Sequence, residues 1–221
     1  MTIHLHCLHA HASNIEYINQ ALTNQQIALH HHVDADLMIR LTRQPPLDLH
    51  QQQAYVARNV EQLAQKGADM ILLTCTQYIA LLDEQLLTTS VPVIKLDEPL
   101  FDVLCAERAP LQLVFSNPGT VDGTMQRLFA FADEQGISVE AEAVVMTGVF
   151  DLLMAGDKVA YEKQVEQQLY ALIEQKKGIL CAAQLSMVGV AQRVARTTGQ
   201  QIVHPLAPLV QFVEKQVQLL L

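Results

Sequence analysis

The chain has 221 residues, of which 50% are hydrophobic and 17% charged, and its 14 basic and 23 acidic side chains give a formal net charge of −9. This composition is typical of a folded globular protein and excludes an intrinsically disordered chain. The acidic balance gives no general attraction to nucleic acid or to anionic membrane surfaces, so neither partner is expected. No apolar run approaches the roughly 20 residues that a membrane-spanning helix needs.

The cysteines are widely spaced and form no Cys-x-x-Cys pair. They are Cys7, Cys75, Cys105 and Cys181. That spacing excludes a zinc knuckle and the dense disulfide framework of a small secreted domain. The first residues show no basic segment followed by an apolar one, so a signal peptide is not predicted. We therefore expect a cytoplasmic protein with reduced thiols.

Short strand-like runs alternate with longer helix-like patterns in the first half of the chain. In chain order the predicted elements are a strand at 3–8, a helix at 13–22, a strand at 26–31, a helix at 50–66, and strands at 68–74 and 91–96. Ser13 is predicted to cap the first helix, and Pro45-Pro46 to break the chain before the second. The three consecutive histidines at 30–32 are typical of an edge strand. The apolar run at 68–74 is of the kind that parallel sheets bury.

A second series of the same kind follows. It consists of a strand at 111–116, a helix at 120–135, a strand at 139–145, a helix at 158–176, a strand at 179–183, a helix ending at Arg196, and a strand at 201–203. A shift of about 109 residues superposes the two series. We predict an α/β fold of two pseudo-symmetric lobes, each a parallel sheet flanked by helices, with the active-site cleft between them. Residues 1–97 and a return helix at 207–221 form the first predicted lobe, and residues 98–206 the second.

Ligands of parallel sheets bind beyond the carboxyl ends of the strands, where loops and helix N-termini meet. Four predicted loops lie there, at 9–14, 74–78, 117–120 and 183–187. The candidate substrate-binding residues in these loops are His9, Ser13, Thr76, Gln77, Asn117, Gly119, Thr120, Gln184 and Ser186. Small and polar residues with free backbone N–H groups suit a small anionic substrate, such as a carboxylate.

Cys75 is the candidate catalytic residue, because it is predicted at a junction between a strand and a helix. The dipole at a helix N-terminus lowers the pKa of a thiol, and the thiolate can act as a nucleophile or take a proton from carbon. The alternative is a buried, inert cysteine at a strand end. That alternative is favoured for Cys7, Cys105 and Cys181.

Eight of the nine histidines lie within the first 50 residues. His4 and His6, with His9 and His11, are reminiscent of a metal site, but only His204 follows downstream, and the chain is short for a (β/α)8 barrel of about 250 residues. The histidines are therefore predicted to be strand and loop residues that face solvent or a subunit contact, and no metal is expected. No glycine-rich phosphate-binding motif occurs, so no nucleotide cofactor is expected either.

Five segments, in the right order, resemble the aspartate/glutamate (and hydantoin) racemase superfamily. They are His-His-Val-Asp at 31–34, Leu-Thr-Cys-Thr at 73–76, Val-Pro-Val-Ile-Lys-Leu-Asp-Glu-Pro at 91–99, the segment beginning Gly-Val-Phe-Asp at 148–157, and Ala-Gln-Leu-Ser-Met at 183–187. The resemblance implies two pseudo-symmetric lobes and a reaction that uses no cofactor. It also implies a substrate carboxylate held by backbone amides and by Ser, Thr and Asn side chains.

The racemases of this family use two cysteines that face each other across the α-carbon of the substrate. The resemblance places the first on Cys75 and the second near Gln184, which is neither an acid nor a base. Cys181 lies three residues earlier, and in a strand an odd offset directs a side chain to the opposite face.

The hypothesis is an isomerase that acts at the α-carbon of a small amino or carboxylic acid of the aspartate/glutamate type, with one thiolate. The alternatives are a single-cysteine decarboxylase, a cis–trans isomerase of a small dicarboxylate, or a non-catalytic carboxylate-binding relative. A homodimer is expected.

Overall fold

The computed structural model describes residues 2–34, 36, 39 and 47–221. The chain break predicted at Pro45-Pro46 lies outside these residues. The chain divides into two compact units, of which the first comprises Met1–Glu98 and Val210–Leu221 and the second Pro99–Leu209. Among the described residues, no helix combines the length and the apolar character needed to cross a lipid bilayer.

The first unit contains a four-stranded parallel sheet with the strand order β2-β1-β3-β4. Its elements in chain order are β1 (Ile3–His9), α1 (Ser13–Ala21), β2 (Ile27–Val33), α2 (Leu49–Gln65), β3 (Met70–Leu73), α3 (Thr76–Leu81), a 3₁₀ turn (Glu84–Leu86) and β4 (Val93–Lys95). The histidines at 30–32 lie on β2, which is an edge strand of this sheet as predicted.

The second unit repeats this arrangement, with the strand order β6-β5-β7-β8 and parallel pairing throughout. Its elements are α4 (Glu98–Ala106), β5 (Leu111–Phe115), a 3₁₀ turn (Pro118–Thr120), α5 (Val121–Glu134), β6 (Ala141–Val145), α6 (Val149–Met154), α7 (Lys158–Gln175), β7 (Ile179–Ala182), a 3₁₀ turn (Leu185–Met187), α8 (Val188–Thr198), β8 (Ile202–Val203) and α9 (Leu206–Leu220). Helix α9 begins in the second unit and ends in the first. The predicted fold class, two lobes with a parallel sheet and flanking helices in each, is confirmed.

The long helix α2 shows how the sequence builds the first unit. Val56, Val60 and Leu63 are buried and recur at helical spacing, so they form one apolar face. Asp48 starts the helix with a capping box, in which its carboxylate accepts from the Gln51 backbone N–H at 2.8 Å and the Gln51 side chain accepts from the Asp48 N–H at 3.3 Å. Strand β3, against which α2 packs, is buried along its whole length.

Some local predictions were wrong. Helix α1 begins at Ser13 itself, its N-cap is Ala12, and the Ser13 hydroxyl lies 2.8 Å from His11 Nδ1 instead of capping the helix. Helices α3 and α6, each of six residues, were not predicted, because fewer than two turns carry too little hydrophobic periodicity. Helix α4 was also not predicted.

Candidate active site

Cys75 follows the carboxyl end of β3 and is the N-cap of α3. Its backbone is extended, with φ −107° and ψ 119°, so the chain turns from strand to helix at this residue. All four cysteines lie in the described part of the chain, and Cys75 is the only one that is not buried. The neighbouring Thr76 and Gln77 are half-buried, so three predicted site residues lie together at this edge of the sheet.

The electrostatic surroundings of Cys75 differ from the prediction. Partial removal from water raises the pKa of the thiol and is the largest effect. Backbone N–H groups of Tyr78 and Gln77 lower the pKa, and the Asp34 carboxylate raises it again. The predicted donors are therefore present, but the predicted net lowering of the pKa is wrong because desolvation exceeds their effect. The resting side chain at neutral pH is a thiol, and the thiolate forms only when its proton is removed.

Asp34, which was not predicted as a site residue, directly follows β2. Its Oδ2 accepts hydrogen bonds from the Tyr78 hydroxyl, from the Tyr55 hydroxyl at 2.7 Å and from Asn59 Nδ2 at 3.4 Å. Its backbone N–H donates to the His9 carbonyl at 2.8 Å. These contacts hold the carboxylate near the Cys75 sulfur, where it influences the thiol pKa. Its position directly after a predicted strand is the sequence signal that could have identified it.

Tyr78 is a proton donor in this arrangement. Burial raises the pKa of its hydroxyl, and the hydrogen bond to Asp34 raises it further. The phenol therefore stays protonated and donates a hydrogen bond to the Asp34 carboxylate. Asp34 is therefore a hydrogen-bond acceptor held in place by neutral donors.

Replacing Asp34 with asparagine is expected to lower the pKa of Cys75. The substitution removes a negative charge that disfavours the thiolate, while an amide oxygen can still accept from Tyr55 and Tyr78. The rate of Cys75 alkylation by iodoacetamide, followed by mass spectrometry, should then begin to rise at a lower pH than in the wild type.

Asp69→Asn is the matched control, because Asp69 precedes β3 whereas Cys75 follows its other end. This variant should keep the wild-type pH profile of alkylation. An Asp34→Asn profile that stays in place or moves to higher pH would contradict the assigned electrostatic effect.

His9 is fully buried at the carboxyl end of β1. Its Nδ1 lies 2.8 Å from Thr74 Oγ1, and its Nε2 lies 2.9 Å from His31 Nδ1. Burial is the main reason that the pKa of His9 is lowered, to about 4, with nearby His31 and His32 adding to the effect. Both ring nitrogens contact protein side chains, so His9 positions Thr74 and does not present a free surface to substrate. Ser13, also predicted here, is exposed and contacts His11.

Gln184 lies at the corresponding edge of the second sheet and connects two loops. Its Oε1 accepts from the Ser116 backbone N–H at 2.7 Å, from the Ser116 hydroxyl at 2.8 Å and from the Asn117 N–H at 2.9 Å. Its Nε2 donates to Thr120 Oγ1 at 3.2 Å, while Asn117 Oδ1 accepts from Gly119 N–H at 2.9 Å. Four predicted residues therefore meet in one network. Gln184 has no acid–base function in it, because an amide neither gives nor takes a proton near neutral pH.

Ser186, the remaining predicted residue, accepts a hydrogen bond of 2.8 Å from the Tyr161 hydroxyl. Cys181 lies on β7 inside the hydrophobic core, beside Leu113 and Phe115. It is fully buried, and burial raises the pKa of its thiol to about 12. This environment supports the interpretation that Cys181 is not a second acid–base residue.

Comparison with known proteins agrees with this architecture. The sequence profile of the Asp/Glu/Hydantoin racemase family matches residues 12–213. Among curated proteins, no sequence is significantly similar to the chain.

Several solved structures share the fold at low sequence identity. An aspartate racemase from Picrophilus torridus has a TM-score of 0.71 at 9% identity, and the match covers 99% of this chain and 95% of the racemase. A glutamate racemase from Bacillus anthracis has a TM-score of 0.68 at 15% identity, covering 98% and 82%. An allantoin racemase from Klebsiella pneumoniae has a TM-score of 0.61 at 16% identity, covering 100% and 89%.

The profile match extends over most of the chain, and it includes all five segments that carried the resemblance. The described fold agrees with it, since both units contain the same parallel four-stranded sheet. The resemblance inferred from the sequence is thus confirmed, and the chain belongs to the Asp/Glu/hydantoin racemase family of isomerases.

Proposed function

We propose that the protein is a cofactor-independent isomerase that acts at the α-carbon of a small amino or carboxylic acid of the aspartate/glutamate type, with the Cys75 thiolate as its base. The observation that carries this proposal is the position of Cys75, the one cysteine that is not buried, at the carboxyl end of β3. Backbone N–H groups of Tyr78 and Gln77 at the sulfur help to hold the thiolate once it has formed.

The proposed reaction begins when the thiol loses its proton to solvent. The thiolate then takes the α-proton, and the electron pair of the C–H bond is delocalised into the adjacent carbonyl group. Return of a proton to the carbon completes one turnover. The residues beside the sulfur can also bind the substrate. Thr76 and Gln77 are half-buried, and they carry a hydroxyl and an amide that can bind the substrate carboxylate.

A single thiolate is enough for exchange of the α-proton, whereas inversion needs a proton donor on the other face of the carbon. Gln184 lies where the resemblance places the second cysteine. Its Oε1 accepts three hydrogen bonds from Ser116 and Asn117. Substrate contacts from Asn117, Gly119, Thr120 and Ser186 remain predictions of the sequence.

The Gln184 network also favours a second candidate function, a decarboxylase or cis–trans isomerase that needs only one cysteine. Both reactions use one nucleophile or one acid–base group, so the loss of the second cysteine would not impair them. They differ from the first proposal in their products. A decarboxylase releases carbon dioxide, and a cis–trans isomerase converts the geometry of a double bond without inverting a stereocentre.

The test is to incubate the wild-type protein in D₂O with aspartate, glutamate and hydantoins and to follow the α-proton signal by NMR. The first proposal predicts loss of that signal as deuterium is incorporated, with chiral chromatography reporting any inversion. α-Methylaspartate, which has no α-proton, is the matched negative control. Carbon dioxide release from these acids, or conversion of maleate to fumarate in a parallel incubation, would favour the second candidate. Thermal stabilisation by these acids without any turnover would contradict both proposals.

A further inference from the structure

A second cluster of reactive side chains lies on the same face of strands β1 and β2. Cys7 and His9 are two residues apart on β1, and His31 on β2 is the direct neighbour of Cys7 in the parallel register. Their side chains therefore leave the same face of the sheet. The Cys7 sulfur and one nitrogen from each imidazole all lie within 4.8 Å of one another. We propose that Cys7, His9 and His31 form a binding site for a divalent transition-metal ion of the zinc type.

The hydrogen-bond partners of the two imidazoles favour one proton assignment for each ring. The Thr74 hydroxyl donates to the Leu8 carbonyl at 3.2 Å, so its oxygen accepts from His9 Nδ1 at 2.8 Å. His31 Nε2 lies 2.9 Å from Asn19 Oδ1, which is an acceptor only. In the neutral rings the protons therefore sit on His9 Nδ1 and on His31 Nε2.

The remaining nitrogens, His9 Nε2 and His31 Nδ1, lie 2.9 Å apart, and with this proton assignment both present a lone pair. Two facing lone pairs at that distance repel each other unless a positive ion lies between them. Zinc binds imidazole nitrogen at about 2.0–2.1 Å, which places two such nitrogens about 3.3 Å apart in a tetrahedral site. A shift of a few tenths of an ångström by the half-buried His31 ring would provide that separation.

The other contacts of these residues are those of metal ligands. Ligating histidines usually donate their second N–H to an oxygen that orients the ring, as His9 does to Thr74 and His31 to Asn19. The Cys7 sulfur supplies the third ligand, and metal binding releases its proton because the ligand is the thiolate. Three protein ligands leave a fourth position for water or a small ligand. An ion enters the site beside His31, which is half-buried and therefore partly open to solvent.

Pairing of β1 with β2 creates this site, so the His-x-His pattern of β1 alone did not reveal it. The opposite face of the same strands carries four other histidines. They are His4, His6, His30 and His32, whose neighbouring rings have centroids 4.6–5.1 Å apart. No cysteine of β1 or β2 lies on that face. A thiolate signal therefore distinguishes the proposed site from this histidine cluster.

The test is to titrate the full-length protein with Co²⁺ and record its absorption spectrum. We expect one equivalent to produce a near-ultraviolet thiolate-to-cobalt charge-transfer band with visible bands of tetrahedral intensity, and Zn²⁺ to abolish both by displacement. Cys7→Ser and His31→Gln should each lose the charge-transfer band. Asn19→Leu, which removes an orienting acceptor, should weaken Zn²⁺ binding about 10–100-fold.

Matched controls lie beside the proposed ligands. His32→Gln alters the next residue of β2, on the opposite face, and Cys75→Ser alters the one thiol that is not buried, so both should keep the band. Circular dichroism of each variant confirms folding, and the half-buried His31 gives a second test if Cys7→Ser is unstable. Absence of a charge-transfer band in the wild type, or its loss in His32→Gln instead of His31→Gln, would overturn the proposal. The spectrum requires no turnover, so the result is independent of the proposed isomerase activity.

Discussion

Replacing Cys75 with alanine is expected to lower the rate of α-proton exchange by about 10²–10⁴-fold, the contribution that a positioned acid–base group makes to catalysis. Asp34 cannot substitute for the lost thiolate, because its Oδ2 already accepts from Tyr55, Tyr78 and Asn59. The measurement is the disappearance of the substrate α-proton signal in D₂O, using whichever acid the wild-type protein exchanges.

The matched control for this substitution is Cys105→Ala. Cys105 is buried in the core of the second unit, so the variant tests removal of a thiol that cannot reach substrate. It should exchange at the wild-type rate if it folds, which thermal melting verifies. Exchange in Cys75→Ala at the rate of Cys105→Ala would show that Cys75 is not the base. If Cys75→Ala binds substrate but does not exchange the α-proton, the result agrees with Cys75 as the base.

Replacing Gly178 with alanine is expected to destabilise the protein by on the order of 4 kcal/mol. Gly178 has φ +143°, and a Cβ there would lie 2.1 Å from the Pro110 carbonyl oxygen and 2.9 Å from its carbon. That same oxygen accepts the Ile179 N–H at 2.9 Å, at the start of the pairing between β5 and β7. The clash therefore displaces backbone at the centre of the second sheet. Urea unfolding followed by circular dichroism measures the loss.

Gly156→Ala separates the clash from the backbone strain. Gly156 also has a positive φ of +74°, but a Cβ there meets no atom within 4 Å. We expect a loss of only about 1–2 kcal/mol, the cost of left-handed backbone for an ordinary residue. Equal stability of the two alanine variants would contradict the predicted contact with Pro110.

Elements with a strong local signal were predicted well. The strand predicted at 3–8 is β1 (Ile3–His9), and the helix predicted at 158–176 is α7 (Lys158–Gln175). Each is long enough for its periodicity, or its apolar run, to identify it. Short elements such as α3 (Thr76–Leu81) lack that signal, although this helix supplies the N–H groups at the Cys75 sulfur.

The candidate site was predicted in its residues more fully than in its chemistry. Cys75, Thr76 and Gln77 are consecutive, so one strand end was enough to place them together. The role of Gln184 could not be predicted, because its partners Ser116 and Asn117 lie 68 and 67 residues away along the chain. Contacts at such separations depend on which strands become neighbours in the sheet.

The sequence by itself determined the repeated α/β architecture, the family and the position of Cys75 at a strand end, because these follow from local patterns and their order. Only the tertiary structure decided that the pKa of Cys75 is raised, since burial and Asp34 act on it through the fold. It also brought His31 beside Cys7, through the pairing of β1 with β2. Desolvation and strand register are properties of the packed chain, and no local pattern in the sequence specifies them.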